Sequence, residues 1–313
     1  MDAAIRAHNL SKSFGAVNAV RGVDLEVPVG ATYGLIGENG AGKTTFIKLL
    51  LGICRPTSGE VRIFDTQPDD VSARRRIGYL PERLTLPPSF SAQQFLASVG
   101  RMKGLSRDAL RQEIPRRLEA VGLESTAWKR KCATFSKGMR QRTGLAAALM
   151  GSPDLLILDE PTDGIDPMGR AQIRQVIQDA ARAGATIFLN SHLLAETERI
   201  CDSVAILSKG RVRKAGPMRA LRDENSHRVV FVPKEGLAQA ARQAGFVPDS
   251  EGTPDHAVFR MEHADPALLS SALLALLSSG YQIVEVTPQL RDLESVLADA
   301  LTETATSNDG VAG

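Results

Sequence analysis

The nine residues 37–45, GENGAGKTT, constrain this chain more than any other stretch. They fit the phosphate-binding spacing G-x-x-x-x-G-K-[ST] at Gly37, Gly42, Lys43 and Thr44. The apolar run 31–36 before them reads as a short buried strand. Residues 46–51 after them read as the apolar side of a helix. Strand, glycine-rich loop and helix is the order such a loop requires. Glycines let the backbone come close to an anion, so that successive N–H groups turn inward, and the helix N-terminus adds a favourable dipole. Asn39, Gly40, Ala41 and Thr45 complete the candidate cradle. Lys43 is placed to reach terminal phosphates as a point charge, and Thr44 to offer its hydroxyl to Mg²⁺. An ordinary glycine-rich turn is the plain alternative, and four matched positions in the right context weigh against it.

The second signal is LLILDE at 155–160. A buried strand that ends in two carboxylates places them where open α/β sheets bind ligands. Asp159 suits a Mg²⁺ ligand, and Glu160 suits a group that orients or deprotonates an attacking water. Standing alone the pair could be chance; downstream of a phosphate loop it gains meaning.

The chain around these motifs alternates strands and helices. Strands are expected at 5–9, 22–27, 59–64, 77–80, 155–158, 185–189, 203–207 and 211–215, with 10–20 as a turn-rich connection carrying Phe14. Helices are expected at 92–101, 107–121, 138–150, 167–182 and 193–200, with Pro115 interrupting or kinking the second. Such alternation implies a mostly parallel sheet covered on both faces. Residues 85–135 form a helical insertion. Residues 219–226 read as a linker, and 227–302 follow a β-α-β-β-α-β order, a ferredoxin-like pattern, closed by a helix at 290–301. The polar tail, 303–313, is expected to be disordered.

Among the chain's 313 residues no apolar run approaches the roughly 18 of a membrane span. The first ten residues lack a signal peptide's apolar core, so a cytoplasmic, at most peripheral, protein is expected. Cys54, Cys132 and Cys201 are too scattered for a disulfide framework or a zinc site. The net charge of +2 hides an asymmetry, because residues 74–142 hold 16 Lys/Arg against 5 Asp/Glu. A local basic excess marks either an anionic partner or a solvated helical surface.

FSKGMRQR at 135–142 and TIFLNSHL at 186–193 narrow the class. With them the chain resembles the ATP-binding subunit of ABC transporters over about residues 4–216. The resemblance implies an α/β P-loop NTPase cassette in residues 1–218 and ATP with Mg²⁺ as ligands. It places Ser136 and Gly138 in the loop that caps the γ-phosphate of ATP on a second copy. Lys137 and Met139 depart from that loop's usual Gly and Gln. Glu82 stands where a Gln usually contacts Mg²⁺ or the water, His192 matches a γ-phosphate-sensing histidine, and Phe14 matches the aromatic that stacks on adenine. Residues 162–166, TDGID, match a loop at the dimer interface. IGYLPE, SKGMRQR, NSHLLAETERICD and the small C-terminal domain resemble the type-two exporter group. The implied partners are transmembrane permease subunits and a second copy in an ATP sandwich, with no nucleic acid. Two other readings stay open: a soluble ABC ATPase acting on nucleic acid or ribosomes, and a weakly hydrolysing regulatory module motivated by Glu82, Lys137 and Met139.

Overall fold

The computed structural model describes residues 2–249, 253, 255–262 and 265–306. It divides into two compact units. One takes the chain as far as Met218 together with residues from Leu297, and the other is Arg219–Val296.

The larger unit runs β1 (Ala3–Phe14), β2 (Val17–Pro28), β3 (Thr32–Ile36), α1 (Lys43–Leu50), β4 (Ser58–Ile63), α2 (Val71–Arg76), β5 (Ile77–Leu80), α3 (Ala92–Met102), α4 (Arg107–Ala120) and α5 (Lys137–Ala148). It continues through β6 (Leu155–Asp159), α6 (Pro167–Arg182), β7 (Thr186–Asn190), α7 (Leu194–Ile200), β8 (Ser203–Ser208) and β9 (Arg211–Pro217). Six strands form one sheet in the order β5-β6-β7-β3-β8-β9, parallel except for β9. LLILD and TIFLN are buried at every position, as strands covered on both faces must be. An antiparallel sheet, β2-β1-β4, lies across the other side of α1. Phe46, Ile47, Leu49 and Leu50 of α1 join Ile5, Leu25, Ile63, Phe188 and Leu207 in one buried core. Phe46 is 1 % exposed and packs on the Phe188 ring at 6.1 Å, so its truncation to Ala costs about 3–5 kcal/mol.

Four sequence expectations need correcting. The connection 10–20 is a hairpin: β1 and β2 extend to Phe14 and Val17, which pair directly across a tight turn opened by Gly15 at φ 58°. Helix α4 runs through Pro115 with Ile114 and Leu118 buried on either side, so core packing outweighs the one lost backbone bond. Residues 219–226 form α8 (Met218–Arg222) and the start of β10 (Asp223–Phe231) rather than a linker, since β10 pairs with a neighbour along this stretch. The tail is helical as far as Thr306, and residues 307–313 lie outside the described residues. Helix α2 was not expected; Asp70 caps it by accepting the Ser72 N–H at 2.7 Å.

The smaller unit continues from β10 through α9 (Leu237–Gln243), β11 (Val247–Pro248), β12 (Ala257–Met261), α10 (Pro266–Ser278) and β13 (Ile283–Leu290), and the described residues end in α11 (Leu293–Thr306). Its sheet order is β11-β12-β10-β13, with every neighbouring pair antiparallel. Val229, Phe231, Phe246 and Phe259 form its core with Leu237, Leu269 and Leu276 of the two helices.

Candidate functional site

The parallel sheet brings the C-terminal ends of β3, β6 and β7 to one edge. Leu35 and Asp159 are both in register with Asn190. The loops leaving these ends carry the chemistry, as open α/β sheets arrange it.

Two glycines of the loop after β3 are required by angle and by space. Gly37 has φ 156°, and a Cβ there would lie 2.1 Å from the Leu207 carbonyl oxygen. Gly42 has φ 107°, and a Cβ there would lie 2.2 Å from the Ala19 carbonyl oxygen. Gly42 opens α1 with no side-chain cap, so the first N–H groups of the helix are left for an anion. Lys43 meanwhile rests on its own loop: Nζ donates to the carbonyls of Gly37 at 2.6 Å and Glu38 at 2.9 Å. Burial lowers the Lys43 pKa, and the carboxylates of Glu160, Asp159, Glu82 and Glu38 oppose that shift.

Asp159 is 2 % exposed. Burial, chiefly, pushes its carboxyl above the usual range, helped by the charges of Glu82 and Glu160. The Asn190 side-chain amide donates to Asp159 Oδ1 at 2.5 Å and works the other way. Asn190 Oδ1 is itself buried with no partner among the described residues. A dry carboxylate crowded by two others, with the Thr44 hydroxyl beside the same cleft, is a hard-oxygen donor set that fits Mg²⁺. Among the described residues no group of three or more His, Cys, Asp or Glu is arranged to hold a metal alone.

Glu160 sits at φ 53°, a left-handed conformation unusual for its residue type. Contacts on every side hold it there. Its N–H donates to the Asn190 carbonyl at 2.9 Å, and its own carbonyl accepts from Gln141 Nε2 at 2.9 Å and from the Asp163 N–H at 3.2 Å. Its carboxylate accepts from the His192 N–H at 2.8 Å and from Ser191 Oγ at 3.2 Å. His192 Nδ1 lies 2.8 Å from Glu160 Oε2, while 60 % of the imidazole side chain stays exposed.

Asn39, Gly40, Ala41, Gly42, Lys43, Thr44, Thr45, Glu82, Glu160 and His192 line one cleft of about 710 Å³. Gly37 and Asp159 lie behind it, joined to it through Lys43 and Asn190. Phe14 is not among the lining residues. Its ring sits at the hairpin tip, 51 % exposed with Lys12 Nζ 5.0 Å from its centroid, and the hairpin's share of the wall is Val17, Asn18, Ala19 and Arg21. Ser136 and Gly138 also lie outside the cleft; Ser136 caps α5 by accepting the Met139 N–H at 3.2 Å. Asp166 likewise caps α6, accepting the Gly169 N–H at 2.9 Å, and this bond holds its carboxyl below the usual range. Sequence reasoning missed Asn190 and Ser191, although both stand at a strand's C-terminal end beside His192. It also missed Gln141 and Asp163. Nothing local marks Arg21 or Lys209, which enter the wall because the Arg21 N–H bonds the Gly210 carbonyl at 2.8 Å.

A strand–loop–helix anion cradle facing paired carboxylates on a mostly parallel sheet defines a P-loop nucleotide-binding cassette. Within that class, residues 20–163 match the model of the ABC transporter family. An uncharacterised ABC transporter ATP-binding protein of Nostoc sp. is 42 % identical over 215 residues, which span 68 % of this chain and 64 % of that protein. Nod factor export ATP-binding protein I of Cupriavidus metallidurans is 39 % identical over 225 residues, 71 % of this chain and 74 % of its own. Among solved structures, an ATP-binding subunit of an ABC transporter superposes with a TM-score of 0.66 at 32 % identity, covering 69 % of this chain and 91 % of that one. The chain belongs to the ABC transporter ATP-binding protein family. No helix among the described residues is long and apolar enough to cross a membrane.

Proposed function

We propose that this chain is the ATP-hydrolysing motor subunit of an ABC exporter. The observation that carries the reading is Glu160: a nearly buried carboxylate, oriented by His192 and Ser191, in the same cleft as Lys43 and the anion cradle. Lys43 exchanges the Gly37 and Glu38 carbonyls for the β/γ-phosphates. Glu160 accepts a proton from a water that attacks the γ-phosphorus in line, and the bond to the ADP oxygen breaks, giving ADP and phosphate. Thr44, Asp159 and Glu82 would hold Mg²⁺, which supplies charge neutralisation at the phosphates. His192 presents Nε2 to the γ-phosphate, because its Nδ1 is engaged by Glu160. Phe14 would stack on adenine from the hairpin tip.

Two copies close head to tail on two ATP molecules, with Ser136 and Gly138 of one capping the γ-phosphate on the other. Separate transmembrane permease subunits dock on the segment 85–135, which keeps the chain peripheral on the cytoplasmic face of the membrane. The export sense rests on the type-two motifs and on the name of the Cupriavidus relative. The strand order of the smaller unit supports a ferredoxin-like accessory domain, residues 227–302, with a regulatory or dimer-stabilising role.

The deciding experiment is phosphate release by the purified chain with ATP and Mg²⁺. Wild type should turn over, and Glu160→Gln should lose at least about a hundredfold, the scale of a removed general base. Equal rates in the two proteins would remove Glu160 from the chemistry and the motor reading with it.

A further inference from the structure

The N-terminal turn of α5 grips the segment that carries Glu160 at two points. Gln141, 4 % exposed, donates from Nε2 to the Glu160 carbonyl at 2.9 Å. Lys137 lies four residues earlier, on the same face of the helix. Its ammonium sits 2.7 Å from Asp163 Oδ2. The Lys137 stem covers Gly164, where an added Cβ would come within 2.4 Å of Lys137 Cδ. Gly164 has φ 70°, so it supplies the turn and leaves the space that the stem occupies. Asp163 in turn donates its N–H to the Glu160 carbonyl at 3.2 Å and lines the nucleotide cleft.

We propose that Lys137 is a positioning residue for Glu160, acting through Asp163. The inference rests on the motor reading given above. The left-handed backbone at Glu160 is a conformation that persists only when its surroundings over-determine it. The Lys137–Asp163 pair is the outermost of those surroundings. It connects the start of α5 to the catalytic carboxylate through two covalent neighbours and two hydrogen bonds. The pair is half-exposed, at 57 % and 39 % of the two side chains, so its effect is bounded by what an exposed ion pair can carry.

The test measures phosphate release against ATP concentration for the full chain, Lys137→Ala, Lys137→Arg, Asp163→Asn and the Lys137→Ala/Asp163→Asn double variant. Affinity for a non-hydrolysable ATP analogue is titrated in parallel. Lys137→Ala should lower kcat about two- to fivefold, the range open to an exposed pair, with KM and analogue affinity unchanged. Lys137→Arg should recover most of the loss, because charge and reach are kept. The double variant should be no slower than the slower single variant, as two residues acting through one contact require. An unchanged kcat in Lys137→Ala, additive losses, or a failed rescue by Arg each overturn the inference. A raised KM with kcat intact also overturns it, by placing Lys137 on nucleotide instead. If wild type is no faster than Glu160→Gln, the motor reading itself falls and takes this inference with it. A fast wild type that Lys137→Ala leaves intact removes only the inference.

Discussion

His192 holds Glu160 twice: its backbone N–H donates to Oε1 at 2.8 Å, and its Nδ1 lies 2.8 Å from Oε2. The two residues come from the ends of neighbouring parallel strands, so the arrangement is built by β6 and β7. A glutamine fits the same place. Its carbonyl oxygen accepts the His192 N–H, and its amide donates to a neutral Nδ1. The negative charge, the basicity and the acceptor for the Ser191 hydroxyl are lost.

Glu160→Gln should therefore keep its fold and its nucleotide binding while turnover falls, and it should accumulate as a dimer in ATP–Mg²⁺ but not in ADP. Adding Ser136→Arg should abolish the dimer and leave monomer nucleotide binding largely intact. Light scattering after size exclusion reads both, and a Glu160→Gln protein that stays monomeric in ATP–Mg²⁺ counts against a nucleotide sandwich of the isolated subunit.

The loop glycines separate into two kinds. Gly37→Ala and Gly42→Ala drive a methyl onto backbone oxygens that cannot yield. Each should cost about 2–4 kcal/mol and abolish nucleotide binding. Gly40 at φ 80° has nothing within 4 Å of a built Cβ, so Gly40→Ala should cost only about 1–2 kcal/mol of left-handed strain. Denaturant titration with nucleotide titration checks the ranking; equal losses at all three positions would remove the close-approach explanation.

Asp159→Asn should stabilise the nucleotide-free protein. The folded carboxyl is raised above its ordinary pKa, so protonation favours the folded state and ionisation costs stability as pH rises through the folded value. Removing the charge while keeping the Asn190 contact should raise the melting temperature by about 1–3 °C at pH 7.5, with a smaller gain toward pH 5. Turnover should fall at least about tenfold. A lower melting temperature at pH 7.5 would show that the charge is a net structural asset.

Lys103 offers the opposite sign. Its ammonium is buried with no partner among the described residues, and burial pulls its pKa down to about 8. The charged form is penalised in the fold, fully below pH 8 and less as pH climbs toward the unfolded value of about 10.4. Lys103→Met should raise the melting temperature by about 2–4 °C at pH 7 and by less at pH 9.5. A gain that ignores pH would trace to packing alone.

Charge reversal at Arg74 and Arg75 should weaken binding to anionic vesicles if the basic stretch faces lipid, with added salt reducing the wild-type signal in parallel. Arg76 is unsuited to this test. It is committed to structure, with Nε 2.5 Å from Asp154 and its guanidinium 3.6 Å from the Phe64 ring centroid. Vesicle binding indifferent to both salt and reversal would assign the two arginines to a solvated surface.

Much of this was legible in residue order. LLIL reads as a strand covered on both faces because a four-residue apolar run bounded by turn residues is too short for a buried helix, and GENGAGKT announces its loop because glycine spacing records where backbone approaches backbone. The hairpin through 10–20 was not legible. Its alternation is weak, and its second strand is fixed by pairing with a partner rather than by local preference. Helix α4 was legible from Leu110, Ile114 and Leu118 at helical spacing; only the interruption expected at Pro115 was wrong, because those buried side chains carry the helix through it. In the site, single residues could be placed by motif, but the grip of Gln141 and Lys137 on the Glu160 segment depends on two elements meeting, which spacing along one chain does not record.

Residues from Leu297 cluster with the larger unit, although Arg219–Val296 separates them from Met218 in sequence. Helix α11 (Leu293–Thr306) straddles the division, its first four residues falling in the smaller unit and those from Leu297 in the larger. A stop codon after Met218 would remove the residues from Leu297 that group with the cassette along with the module it was meant to delete. A loss of ATP turnover in a simple truncation therefore says nothing about regulation until it is compared with a variant that keeps both parts of the larger unit.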